Sequence, residues 1–283
     1  MSSFKLNRNL YSSNGLFGEL LKKNKFIVVV FFSGIFGFFV GVSHSTWQAV
    51  AESSQVLSGV VQYSTPNPFY IYHVKSWTIL NQIGALFLYL GGAEKTLSIV
   101  VSGIMGAIYF LAFSILVFAL CQNSILALST PFLMHFLDLD TDFGVTYPIQ
   151  ITDSVHSYGV LGQGFAFMVI ALFTAKKFRT AGFLLGVSIS IHPAIGGFLC
   201  LTLFLSFLWS YKKLLPSFFV ALKYFFFGAL ISVLSFICYM MLSKHVPDIS
   251  QALALKYRSI DALYWSGHRG YNNVKHWSFN RPD

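Results

Sequence analysis

Apolar residues in this chain are grouped in long runs and do not alternate with polar ones. Runs at 26–42, 98–120, 158–174, 181–209 and 224–242 approach or exceed the ~20 residues that cross about 30 Å of hydrocarbon as a helix. Membrane strands require strict polar–apolar alternation, which these runs lack. The pattern predicts an all-α fold, a polytopic transmembrane helix bundle with roughly six to eight membrane helices, some of them short or re-entrant.

Between the runs the chain divides as follows. Residues 1–25 are a basic arm and 26–43 the first span, in which Ser33, Gly37 and Gly41 recur every four residues and give one small face. Residues 44–76 form a first outer loop. Trp47, Val50, Ala51, Leu57, Val60 and Val61 fall near one helical face there, with Gln48, Glu52 and Gln55 away from it, so a surface helix is expected. Pro66 and Pro68 then break regular helix. A second helix is expected over 76–92, an inner turn at Glu94 and Lys95, and a third helix over 97–120. The stretch 124–137 is short and carries Pro131, which fits a re-entrant helix. Residues 138–157 are a second outer loop, and 158–175 span back to a basic turn. The run 180–209 is too long for one crossing and is interrupted at His192-Pro193, which predicts two short helices hinged there. A last helix covers 217–242. The transmembrane domain is thus 26–242, and 243–283 is a polar, aromatic tail, outside if the hinge is real and inside if 180–209 is one helix.

Composition strengthens the membrane reading. The chain is 55% hydrophobic and only 10% charged, too few charges to cover a soluble protein of this length. Its net charge of +9 raises the question of nucleic acid, but position answers it. Lys5, Arg8, Lys22, Lys23 and Lys25 precede the first span, Lys176, Lys177 and Arg179 separate two others, and Lys212 and Lys213 precede the last. Short basic clusters beside apolar segments are the product of the positive-inside bias, which places the N-terminus in the cytoplasm. The first apolar stretch is longer than a signal-peptide core, and no small-x-small site follows it, so it is expected to remain uncleaved. Cys121, Cys200 and Cys238 show no metal-ligand spacing.

Charges away from the flanking clusters are candidates for chemistry, because ionisable groups near a bilayer are expensive. Glu52 fits either the solvated side of a surface helix or a general base above the membrane. Asp138, Asp140 and Asp142 alternate in a loop, where Asp140 and Asp142 can hold Mg²⁺ or Mn²⁺, or simply face water. Asp153 with His156 fits a helix cap or a catalytic pair. His192 stands at a helix break, either satisfying the backbone carbonyl that Pro193 frees or meeting a phosphate. Gly159, Gly162 and Gly164 lack a preceding strand, so they are packing glycines and not a dinucleotide loop. In the tail, His268 and Arg269 among aromatics suit sugar and phosphate binding or a membrane interface.

The order of elements resembles the C-type superfamily of polytopic glycosyltransferases. A first span leads to an outer loop with Trp47-Gln48-Ala49-Val50-Ala51-Glu52, Gly59 and Pro66-Asn67-Pro68. A second acidic loop and a basic turn follow, and then Ala181-Gly182-Phe183-Leu184-Leu185-Gly186 leads to His192. Departures are the later position of Glu52, the absence of a larger outer domain and fewer helices. The resemblance implies transfer of a sugar from a polyprenyl-phosphate-linked donor, a membrane lipid, to an acceptor on the extracytoplasmic side; separately, the low charge and the missing organellar signals fit a bacterial inner membrane. Glu52 would be the base, Asp138 and Asp140 would assist, Asp140 and Asp142 would hold a divalent metal, and His192 would lie near the donor phosphate; His268 and Arg269 are candidates for substrate binding from the tail's composition alone. The other class is a non-enzymatic membrane protein, a transporter component or assembly partner, although no repeat or paired intramembrane polar site marks a transporter. The chain stops at Arg281-Pro282-Asp283 soon after a helix, which raises the expectation of a truncated reading frame.

Overall fold

The structure, a computed structural model, describes residues 16–43, 45, 49–63, 67–136, 158–209, 211–244, 250, 252–253 and 255–256. Among these are ten helices and no strand: α1 (Leu16–Ser43), α2 (Ala49–Ser58), α3 (Pro68–Lys75), α4 (Ile79–Tyr89), α5 (Glu94–Cys121), α6 (Ser124–Phe136), α7 (Tyr158–Thr174), α8 (Phe178–Ile191), α9 (Pro193–Trp209) and α10 (Tyr211–Ser243). Three stretches are long and apolar enough to cross a membrane: Asn24–Ser43, Glu94–Cys121 and Leu215–Ser243. The apolar parts of α4, α6, α7, α8 and α9 are shorter.

Two helix pairs form the frame, and glycine sets both. α1 and α5 run antiparallel, with Gly37 facing Gly106 and Gly41 facing Ser102. A Cβ on Gly37 would sit 2.5 Å from the Gly106 carbonyl and 2.6 Å from the Phe110 Cβ. α8 and α10 run parallel, with Gly182 against the Ala221 backbone, Gly186 against Phe225 and Ala229, and Gly228 against Phe183. Ser232 Oγ adds a hydrogen bond of 2.8 Å to the Gly186 carbonyl. Backbones this close leave no room for any side chain, and this is how helices associate where lipid offers no hydrophobic drive.

α7 joins the pairs. It lies parallel to α5, with Phe113 and Phe167 rings 4.9 Å apart and Ala112, Ile115, Met168 and Leu172 buried together. α7 ends in a left-handed cap. Lys176 takes φ 58°, its N–H donates to Phe173, and the Lys177 N–H donates to Leu172. α4 ends in the same way, but with Gly91 at the left-handed position (φ 93°). A side chain there costs roughly 1–2 kcal/mol, which glycine avoids.

The hinge expected at Pro193 is present. His192 is extended (φ −151°, ψ 103°) and α9 folds back antiparallel to α8, so that Gly196 lies on the Ser188 backbone and Leu199 packs with Leu185 and Val169. α6 starts from an Asn123 cap and returns antiparallel along α5, with Phe132 and Phe110 rings 5.1 Å apart.

The second helix departs from expectation. α4 has 11 residues, about 16 Å at 1.5 Å each, too short to cross. It lies antiparallel on α2, Gly84 against Ser54 and Leu88 beside Ala51 and Leu97. Since Ser102 is level with Gly41, Glu94 and Lys95 lie beyond the C-terminal end of α1. The expected inner turn is therefore at the end of the bundle that holds Ser43. α2, α3 and α4 cap this end. Lys75 and Lys95 stand at this end together with Glu52 and Glu94, and a larger basic group lies at the other: Lys177 Nζ lies 4.5 Å from the centre of the Phe26 ring, and the Arg179 guanidinium 5.9 Å from that of Tyr224.

Gly41→Leu and Gly186→Leu are expected to lose about 3 kcal/mol each, the upper part of the usual overpacking range. Gly197→Leu, which meets nothing within 4 Å, should be neutral or slightly stabilising because leucine favours helix over glycine. Thermal unfolding in detergent, followed by helical circular dichroism, distinguishes the three.

A buried polar relay beneath Glu52

The capped end contains a polar chain that links four elements. Ser53 Oγ on α2 is 2.8 Å from His73 Nδ1 on α3. It is also 2.7 Å from the hydroxyl of Tyr158, the first residue of α7. That hydroxyl is 3.0 Å from Asn81 Oδ1 on α4. Asn81 Nδ2 donates to the Ser76 carbonyl at 3.1 Å, and Ser54 Oγ donates to the Asn81 carbonyl at 3.2 Å. Ser53 and Asn81 are 0% exposed and His73 is 8% exposed.

The Asn81 amide is oriented by its bond to the Ser76 carbonyl, so its Oδ1 accepts from the Tyr158 hydroxyl. The Tyr158 hydroxyl also meets Ser53 Oγ, which in turn faces His73 Nδ1. Ser53 has no exposure to a substrate, so its hydroxyl is not a surface nucleophile. The relay is a clamp that holds α2, α3, α4 and α7 in register.

A second clamp ties the cap to α10. Gln82 Nε2 donates to the Ser235 carbonyl at 2.8 Å, Ser235 Oγ donates to Gln82 Oε1 at 2.8 Å, and Trp77 Nε1 reaches Ser235 Oγ at 3.1 Å. Trp77 also packs edge-on against Phe236 with ring centres 4.9 Å apart.

Glu52 follows directly from this geometry. It is exposed, while its neighbours Ala51, Ser53 and Ser54 are buried. Glu52 is thus on the exposed side of α2 as expected, whereas the helix ends at Ser58 and Val60, expected on the apolar face, is exposed; the carboxylate lies within electrostatic reach of the Tyr158 phenol. His192 caps α9, its Nδ1 accepting from the Ile195 N–H at 3.3 Å, a structural role at the helix break that is met at an N–H and not at the carbonyl freed by Pro193. Its Cβ rests on Gly162, one turn along α7 from Tyr158. Ile191 packs with Val50 and Val160. The structure thus brings α2 and the α8–α9 hinge to the same end of the bundle. Gly162 and Gly164 serve packing, against His192 and Tyr109. Asp138, Asp140, Asp142, Asp153, His156, His268 and Arg269 lie outside the described residues. Among the described residues no group of three His, Cys, Asp or Glu side chains is placed to hold a metal.

Hydrogen-bonded partners in the relay are 5 to 105 positions apart in sequence, and no motif announces them. One signal was available. Asn81 and Gln82 interrupt an apolar stretch, and amides placed there need partners. Comparison with protein-family models, with curated proteins and with solved structures finds no match.

Tyr158→Phe leaves the buried Asn81 Oδ1 without its donor and should cost about 1–3 kcal/mol in thermal unfolding, whereas Tyr72→Phe, at an exposed ring, should be neutral. Burial also lowers the His73 pKa from 6.5. The unfolded chain then binds a proton that the folded cap refuses, so the His73 contribution is complete above the ordinary imidazole value and is lost as pH falls below it toward the lowered value. Melting curves across this interval should show stability declining with acid, and His73→Gln should remove that part of the slope.

Proposed function

We propose that this chain is a polytopic membrane protein that transfers a sugar from a polyprenyl-phosphate-linked donor at its capped face, with Glu52 as the general base. The observation that carries the reading is the setting of Glu52. It is an exposed carboxylate on a short helix whose adjoining residues are clamped by buried hydrogen bonds to α3, α4 and α7. A base must be held in place to abstract a proton, and a rigid support beneath it provides that.

Charge placement supports the orientation. Lys25, Lys176, Lys177 and Arg179 stand at the end opposite the cap, which by the positive-inside bias is the cytoplasmic end. The cap, Glu52 and the hinge at His192 then face the extracytoplasmic side, where lipid-linked sugars would be met. In this reading His192 meets the donor while capping α9, and the acidic loop residues Asp138, Asp140 and Asp142 supply the remaining carboxylates, with Asp140 and Asp142 binding Mg²⁺ or Mn²⁺. His268 and Arg269 contact the donor from the tail.

Glu52→Gln should lower transfer by roughly 10²–10⁴-fold, the usual contribution of a general base, while the helical circular dichroism of the folded protein is retained. Purified protein supplied with a polyprenyl-phosphate sugar and an acceptor provides the assay. Full turnover in Glu52→Gln would remove the assigned role. No transfer by the unaltered protein from any such donor would favour a non-enzymatic assembly partner.

A further inference from the structure

The end opposite the cap collects cations from three distant parts of the chain. Lys177 leaves the α7–α8 turn toward α1 and lies over Phe26, the neighbour of Lys25. Arg179, in the first turn of α8, lies on the side of α10 over Tyr224, the neighbour of Lys223. Lys25, Lys176, Lys177 and Arg179 are close to the start of the α1 span, and Lys223 is farther along α10, within reach of that level through its flexible stem.

Lys176 supplies an independent observation. It occupies the left-handed position of the α7 cap, where the matching cap of α4 has Gly91. Glycine is the favourable residue in this conformation. The chain instead carries an exposed lysine there, which points to a use for the charge.

We infer that this rim is a docking surface for anionic phospholipid, holding headgroup phosphates beside Lys25 and Lys177 on the α1 side and beside Arg179 and Lys223 on the α10 side, with Lys176 between them. Arginine and lysine at interface depth, backed by aromatic rings, have the chemistry to hold a phosphate diester at the membrane surface. The inference rests on the membrane reading of the bundle and is independent of sugar transfer.

Native mass spectrometry of the purified full chain with phosphatidylglycerol or phosphatidylcholine tests it. The expected result is preferential retention of phosphatidylglycerol, weakened about fivefold for each charge removed, in Lys177→Gln and Arg179→Gln. Lys176→Gly separates binding from folding, since it should melt no lower than the unaltered protein yet retain less phosphatidylglycerol. Equal retention of both lipids overturns the inference, as does unchanged retention in all three variants. Displacement by glycerol phosphate alone would also overturn it by showing a site for free phosphate. A chain that stays in solution without detergent would instead overturn the membrane reading itself.

Discussion

Backbone-to-backbone contact at glycine is the constraint on which the rest of the bundle depends. Gly37 and Gly41 on α1 meet Ser102 and Gly106 on α5, and Gly182 and Gly186 on α8 meet Ala221, Phe225 and Gly228 on α10. Apolar helices gain nothing from leaving lipid for one another, so packing area and shape must hold them. Each pair fixes a direction: α1 and α5 antiparallel, α8 and α10 parallel. α7, parallel to α5 and joined to α8 by a tight basic turn, determines how one pair sits against the other. Once these directions are fixed, the ends of the helices sort into a capped face and a basic face.

The cap is held by different physics. α2, α3 and α4 are too short to stand alone, and they are fastened by hydrogen bonds among buried and partly buried groups. Their satisfaction is close to mandatory, because an unmet buried donor or acceptor costs more than a typical hydrogen bond contributes. The relay from His73 to Asn81 and the Gln82–Ser235 clamp therefore act as fixed fastenings between the cap and α7 and α10. Glu52 inherits this rigidity from its neighbours while remaining in solvent, and the hinge at His192 lies just beneath the same face.

Much of the bundle was legible in the sequence. The helices around 26–43, 97–120 and 217–242 are visible as apolar runs, and His192-Pro193 marks the α8–α9 break because proline cannot continue the preceding ladder. The small face of α1 was visible as well, although its partner was not: a spacing of four says that a close approach is possible and not which helix makes it. α4 was misjudged because an apolar stretch with two amides has the composition of a poor membrane helix and equally of a short one packed within a cap. Only its tertiary partners, Ser76 and Tyr158 for Asn81 and Ser235 for Gln82, distinguish the two. The relay was illegible for the same reason, since its members come from four separate helices and the linker after α3, and meet only once the bundle is assembled.

The side of the membrane reached by the α4–α5 turn is the most direct test of this account. In a chain with Cys121, Cys200 and Cys238 replaced, single cysteines at the exposed positions Gln62, Lys95 and Lys176 would be labelled in intact cells with a membrane-impermeant thiol reagent. The account predicts that Gln62→Cys and Lys95→Cys react from outside together, and that Lys176→Cys reacts only after permeabilisation. Labelling of Lys95→Cys with Lys176→Cys, on the side opposite Gln62→Cys, would contradict it, because α4 would then cross the membrane and the cap that supports Glu52 would not exist.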